Sequence, residues 1–177
     1  VGIHYDTAVF TNLTPEHIEA HGGFENYKKA KRVLFECVEG ADQKYLDDEE
    51  VRRNIIVNID DEHATDFLEY VVDNKYGFGV DLDRSGSVFA AVTPVVAKKV
   101  ELSEKGTSFE LQGTKFHLQP VGLFNLYNVL ASIATCRSLG ISWETLASGV
   151  KNLEAVPGRL EVIDEGQPFT VIVDYAY

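Results

Sequence analysis

The segment "NIIVNID", Asn54 to Asp60, constrains the fold more than any other part of the chain. A short, nearly continuous apolar run of this kind is typical of a parallel strand buried on both faces. Upstream, "TAVFTNL" (Thr7 to Leu13) is a β-branched and aromatic run ended by Thr14-Pro15, which predicts a strand whose carboxyl end opens into a loop. Between the two runs, Phe24, Tyr27, Ala30, Val33 or Leu34, and Cys37 recur at helical spacing, predicting an amphipathic helix over Glu25 to Val38. An acidic connector, "GADQKYLDDEEVRR", follows it, and "DEHATDFLEYVVDN" after the central run predicts another helix. Strand, helix, strand, helix is the order of an α/β sheet, which binds ligands in crevices beyond the carboxyl ends of its strands. "TNLTPEH" and "VNIDDEH" both fall at such ends.

From Gly86 to Gly122 the pattern changes to alternating segments broken by Gly and by Glu-Lys-Gly, which predicts antiparallel hairpins. "LFNLYNVLASIATCRSLG" (Leu123 to Gly140) then sets Leu126, Val129, Leu130, Ile133 and Ala134 on one helical face, with Gly140 closing the helix. Ser142 is placed to cap a further short helix with Leu146 facing inward, and the last segment supplies two strands around Asp164 to Gln167. The expected fold is one α/β domain, a mostly parallel sheet with flanking helices plus a small antiparallel β-meander.

Composition narrows the partners. Sixteen Lys and Arg against 28 Asp and Glu leave a net charge of −12, which repels nucleic-acid backbones and anionic membranes. No apolar run has the roughly 18 residues that membrane insertion needs. Cys37 and Cys136 read as buried thiols of a cytoplasmic protein, not a disulfide. The chain has no Met, opens within an apolar stretch and closes on "FTVIVDYAY", which reads as a buried strand; this predicts an internal piece of a longer protein.

Several polar residues stand where chemistry is possible. His17 and His21, four apart with Glu16 and Glu19 beside them, are spaced to approach a metal, yet taken alone they read first as a solvated acidic loop. Lys31 on the following helix has nothing local to distinguish it from a surface lysine. Asn125 and Asn128 share one helical face near an N-terminus; one can serve as a cap, and both have amides able to pair with a purine edge. Arg159 follows a Pro-Gly turn, where a guanidinium can clamp phosphate or carboxylate or simply be solvated.

Taken in order, "TNLTPEHIEAHGGFENYKKAK", "VNIDDE", "GLFNLYNVLASIA", "VPGRLEVI" and "VIVDYA" resemble the Mur ligases, ATP-dependent amide-forming enzymes of peptidoglycan precursor synthesis, and specifically the MurE type. The resemblance implies that residues 1–172 are the C-terminal part of the central ATP-binding domain and residues 173–177 the start of a hinge. It implies a magnesium site served by His17 and by Lys31 as a carbamate, and an ATP site served by Asn125, Asn128, Arg159 and Asp174. It implies ATP and Mg2+ as cofactors, with a UDP-MurNAc-dipeptide and the third stem-peptide amino acid as partners. The reaction it implies runs through an acyl phosphate to an amide.

Three features depart from the family pattern. Glu16 replaces the aspartate before the histidine, and Tyr177 stands at a histidine position. No G-x-x-x-x-G-K-[ST] loop occurs in these 177 residues, and the family's further metal-site glutamate and amino-acid-selecting domain have no counterpart. The expectation is that this piece, without the missing N-terminal and C-terminal parts, is inactive. Rival readings are a folylpolyglutamate synthase or cyanophycin synthetase-like ligase, and a non-catalytic scaffold that retains the fold.

Overall fold

The computed structural model describes residues 3–15, 18–80, 90–154, 156–159 and 161–175. Its first elements are β1 (Thr7–Phe10), α1 (Ile18–His21), α2 (Phe24–Glu39), β2 (Lys44–Leu46), β3 (Glu49–Val51), β4 (Asn54–Asn58) and α3 (Ala64–Leu68). Then come β5 (Asn74–Val80), β6 (Thr93–Ser103), β7 (Gly106–Leu111) and β8 (Thr114–Leu118). The last are α4 (Leu123–Ser138), α5 (Trp143–Lys151), β9 (Glu161–Ile163) and β10 (Val171–Val173).

Six strands form one sheet in the order β1-β4-β5-β6-β7-β8. The first four are parallel and the last three antiparallel, so β6 belongs to both halves. The meander predicted from the sequence is therefore a continuation of the parallel sheet. All five residues of β4 are buried, as expected of a strand inside a parallel sheet covered on both faces. Alternation along the strands divides the interior into two cores. Ala8, Phe10, Ile55 and Val57 face α2 and α3 with Phe35, Val38 and Phe67. Ile56, Phe78, Val95 and Ala97 face α4 and α5 with Leu126, Leu130 and Ile133.

The predicted apolar face of α4 is buried at all five positions, and Gly140, at φ +85°, follows its end in the left-handed conformation. Ser142 caps α5, its hydroxyl accepting from the Thr145 N–H at 3.2 Å. Other expectations need correction. In α2, Ala30, Val33 and Cys37 are exposed. Steps of three residues fall about 60° short of a full turn, so that stripe winds away from the sheet and Phe35 and Val38 point inward instead. Cys37 is accordingly an exposed free thiol and Cys136 a half-buried one.

The helix expected over "DEHATDFLEYVVDN" is only five residues long. Beyond it Glu39 accepts from the Val71 N–H, and the Asp73 carboxylate binds the backbone and guanidinium of Arg53, holding 71–73 outside the helix. The acidic connector contains the β2–β3 hairpin, whose Asp47 and Asp48 both have positive φ, as a two-residue turn of this kind requires. The closing strand, expected to be buried, pairs among the described residues only with β9, in a separate ribbon, and Ile172 and Val173 are exposed.

Candidate active site at the carboxyl edge of the sheet

The parallel strands β1, β4 and β5 end side by side, and hydrogen bonds from the segment after β4 lace their ends together. The Asn58 side-chain amide donates to the Thr11 carbonyl at 2.8 Å, joining the end of β1. Asp61 accepts from the Leu13 N–H at 3.1 Å and from the His63 N–H at 2.9 Å, pinning the "TNL" loop and starting the turn into α3. Asp60 accepts at one oxygen from the Val80 N–H at 2.8 Å, at the end of β5, and from the Tyr127 hydroxyl at 2.7 Å, on α4. Four residues, Asn58 to Asp61, thus connect the loop leading to α2 on one face with the N-terminal half of α4 on the other.

On the α2 face, a row of contacts runs along the helix. Phe24 meets the His63 ring at 5.2 Å; Lys28 bridges Glu25 and Asp66, at 3.5 and 3.0 Å; Arg32 bonds Glu69 and the Tyr70 hydroxyl. The Asp66 partner raises the Lys28 pKa above its ordinary value, against the smaller opposing effect of burial. Lys31 differs from these two cations. At roughly 100° per residue it lies within about 40° of Phe24, Phe35 and Val38 on the inward stripe, yet it is exposed and forms no ion pair among the described residues. Its amine stands 5.3 Å from the Tyr27 ring centre, and Tyr27 in turn packs 5.2 Å from the His21 ring. His17 lies outside the described residues, as does Tyr177. Among the described residues no three His, Cys, Asp or Glu side chains converge into a metal cage.

On the α4 face the two asparagines prove unequal. Neither caps the helix: Gly122, at φ +100°, is the N-cap residue, without a side-chain hydrogen bond. Asn125 sits in the first turn, and its amide N–H donates back to the Val121 carbonyl at 2.8 Å. The Asn128 amide is exposed and makes no hydrogen bond among the described residues. α4 therefore presents an open amide close to a helix N-terminus, the end whose free N–H groups favour anions.

Arg159 and Asp174 lie at the same end of the β9–β10 ribbon. Glu161 pairs with Val173, and beyond that pair the Tyr175 N–H donates to the Gly158 carbonyl at 2.8 Å. Both side chains are exposed. Val162 of this ribbon and Gln119, Pro120 and Val121, which lead into α4, line one groove of about 380 Å³. A groove of about 730 Å³ between the meander and α5 shares no residue with the carboxyl edge. Sequence reasoning singled out His17, Lys31, Asn125, Asn128, Arg159 and Asp174; it did not single out Asp60, Asp61, Tyr27 or Tyr127, whose contacts only the structure shows. The two adjacent acids after an apolar strand were the available signal for the first pair.

A family profile described as Mur ligase middle domain matches residues 1–136. The chain is 38% identical, over 99% of its length, to a UDP-N-acetylmuramoyl-L-alanyl-D-glutamate–2,6-diaminopimelate ligase of Bacillus velezensis, of which it covers 34%. It is 33% identical, again over 99% of its length, to the corresponding L-lysine ligase of Staphylococcus aureus, of which it covers 33%. It thus spans about a third of the length of these curated relatives. Among solved structures, MurF from Acinetobacter baumannii superposes with a TM-score of 0.72 at 22% identity, covering 97% of this chain and 34% of that one. MurF ligase from Thermotoga maritima in complex with ADP superposes at 0.62 and 23% identity, covering 91% and 33%. Among the described residues, no helix is long and apolar enough to cross a membrane.

Proposed function

The chain belongs to the Mur ligase family, and from that premise we propose that it is part of the ATP-binding domain of a MurE-type ligase. The observation that carries this reading is the carboxyl edge itself. Lys31, without an ion pair among the described residues, lies on the helix that follows the β1 loop on one face of the sheet, and the open Asn128 amide lies on α4 on the other, while Asn58 to Asp61 tie the β1 loop to α4. Two exposed groups on opposite faces of a sheet share a ligand most readily beyond the strand ends, where a long, multiply charged molecule such as ATP can reach both.

In this reading Asn128 pairs with the nucleotide, and Asn125 holds the loop before α4 while offering its remaining amide edge. Arg159 and Asp174 approach the nucleotide from the ribbon. Lys31 loses one proton to become a neutral amine, whose nitrogen bonds to the carbon of carbon dioxide and releases a second proton, so that a cation becomes a carboxylate-like group. Exposure and the lack of an ion pair among the described residues fit this: none of their acids must be displaced for the amine to react. Together with His17 the resulting oxygens suit Mg2+, which takes oxygen ligands from one or two carboxylates plus phosphates. When bound, Mg2+ offsets the repulsion between the substrate carboxylate and the ATP phosphates.

The reaction that follows joins the carboxylate of a UDP-MurNAc-dipeptide to the γ-phosphorus with departure of ADP. The amine of the incoming amino acid then attacks the acyl carbon, phosphate leaves, and the nitrogen loses a proton. The relatives act, by name, on 2,6-diaminopimelate or L-lysine, and an amino acid of that class is the substrate we assign. In the full-length gene product, Lys31→Ala should abolish ligation, and added short carboxylates should restore part of it. Full activity in Lys31→Ala would overturn the carbamate. Asn128→Ala should raise the KM for ATP; an unchanged KM would remove Asn128 from the nucleotide site.

A further inference from the structure

We infer that Tyr127 and Asp60 form a latch that sets the position of the nucleotide-facing turn of α4, which makes Tyr127 a positioning residue for ATP. The inference rests on the assignment of Asn128 to the nucleotide.

Tyr127 directly precedes Asn128 and turns its half-buried ring toward the sheet, where it packs on the α4 core. Its hydroxyl donates to Asp60 Oδ2 at 2.7 Å, the oxygen that also accepts from the Val80 N–H at 2.8 Å. Asp60 is itself fixed, since its backbone N–H donates to Asn58 Oδ1 at 3.0 Å, and Asn58 donates on to Thr11. Among the described residues, no other side chain of α4 hydrogen-bonds to the sheet.

The remaining contacts of α4 come from Leu126, Val129, Leu130 and Ile133, and apolar burial is non-directional. Such contacts hold a helix against a sheet but resist small rotations and axial shifts weakly. A hydroxyl bound to a carboxylate is directional and of the stronger, charge-assisted kind. One turn in from an N-terminus with no side-chain cap, it fixes the rotation of α4 at the point where Asn128 leaves the helix. The site for the carboxylate is built for it at Gly79: a Cβ there would lie 2.5 Å from Asp60 Oδ1. Gly79 therefore leaves room that any side chain would take.

The experiment uses the full-length gene product and steady-state kinetics. Tyr127→Phe keeps the ring and removes the hydroxyl. Gly79→Ala pushes Asp60 aside without altering either latch partner. Each should raise the KM for ATP about tenfold and leave the KM for the amino acid unchanged. In an Asn128→Ala background, Tyr127→Phe should add no further rise, because residues acting through one another are not additive. An unchanged KM for ATP in Tyr127→Phe, or a rise that adds in full to that of Asn128→Ala, overturns the latch. A rise in Asn128→Ala alone overturns the latch and keeps the nucleotide assignment. No rise in either variant overturns both. Tyr127→Phe carries the test by itself if Gly79→Ala fails to fold.

Discussion

Removing the Asp61 carboxylate tests how the two loops at the carboxyl edge are held together. Asp61 accepts the Leu13 N–H at 3.1 Å and the His63 N–H at 2.9 Å, across 48 residues in the first case and across a local turn in the second. Leu13 is only 5% exposed, so its amide has little access to replacement water in Asp61→Ala. His63 lies at the start of α3, where water replaces more of what is lost. A hydrogen bond to a charged group is worth about 1.5–3 kcal/mol, and the half-exposed carboxylate puts each bond at or below the lower bound. The expected loss is about 2–3 kcal/mol in Asp61→Ala and about half that in Asp61→Asn, which retains one acceptor oxygen. Against a total stability of about 5–15 kcal/mol such a loss is readily measured.

Urea unfolding followed by far-UV circular dichroism gives the total, and amide hydrogen exchange locates it. The Leu13 and His63 amides should lose protection in Asp61→Ala while Ile56, in the centre of β4, retains it. A loss below about 0.5 kcal/mol, within the range of ordinary surface substitutions, would refute the lacing argument. So would Leu13 exchange as slow as in the parent chain.

Two further outcomes follow from the α2 face. Phe67 is fully buried, stacked on Phe10 at 3.8 Å and edge-on to Phe35 at 4.9 Å. Phe67→Ala should cost about 3–5 kcal/mol in denaturant unfolding, and a cost under about 2 would show that the five-residue α3 is anchored elsewhere. At Asp73, the Arg53 backbone N–H and then its side chain hold the carboxyl below its ordinary value of 3.8. A depressed carboxyl contributes stability that is present above its unfolded-state pKa and lost as pH falls through the folded one. The stability gap between the parent and Asp73→Asn should therefore be constant near neutrality and close below about pH 4; a gap that persists in acid would remove this pair from the pH dependence.

What the sequence made legible was what depends on local period. "NIIVNID" became the fully buried β4, and the five positions of α4 became its inward face, because apolar spacing reports burial directly. Lys31 was visible only through its place in the ordered motifs, since nothing in its own neighbourhood separates it from Lys28. The structure separates them by partners: Asp66 and Glu25 neutralise Lys28 and leave Lys31 unpaired among the described residues. Tyr127 and Asp60 were illegible because they are 67 residues apart and meet only after the meander returns the chain to the other face of the sheet. The unequal roles of Asn125 and Asn128 were hidden for a similar reason. Which of two asparagines is free depends on where the preceding carbonyl points, and Gly122 at φ +100° decides that.

The charge of the chain gains a different meaning at this edge. A net charge of −12 opposes a long polyanion, whose phosphates extend over the whole surface. A single nucleotide is decided by the near field, because beyond a Debye length of about 8 Å at physiological ionic strength surface charges are largely screened. Glu25 at the start of α2 and Asp66 on α3 are already paired with Lys28, and Asp61 is occupied by two backbone N–H groups. Among the described residues the Lys31 amine has no ion pair and the start of α4 has no side-chain cap, so each adds positive character on its side of the edge. An acidic chain can thus still receive a single nucleotide where its nearest acids are paired and a cation and a helix N-terminus stand open. Carbamylation of Lys31 would reverse the sign on the α2 face alone. The edge would then be polarised, with anion-favouring donors on α4 and a cation-favouring oxygen on α2, the arrangement that suits a metal-bound triphosphate better than a free one.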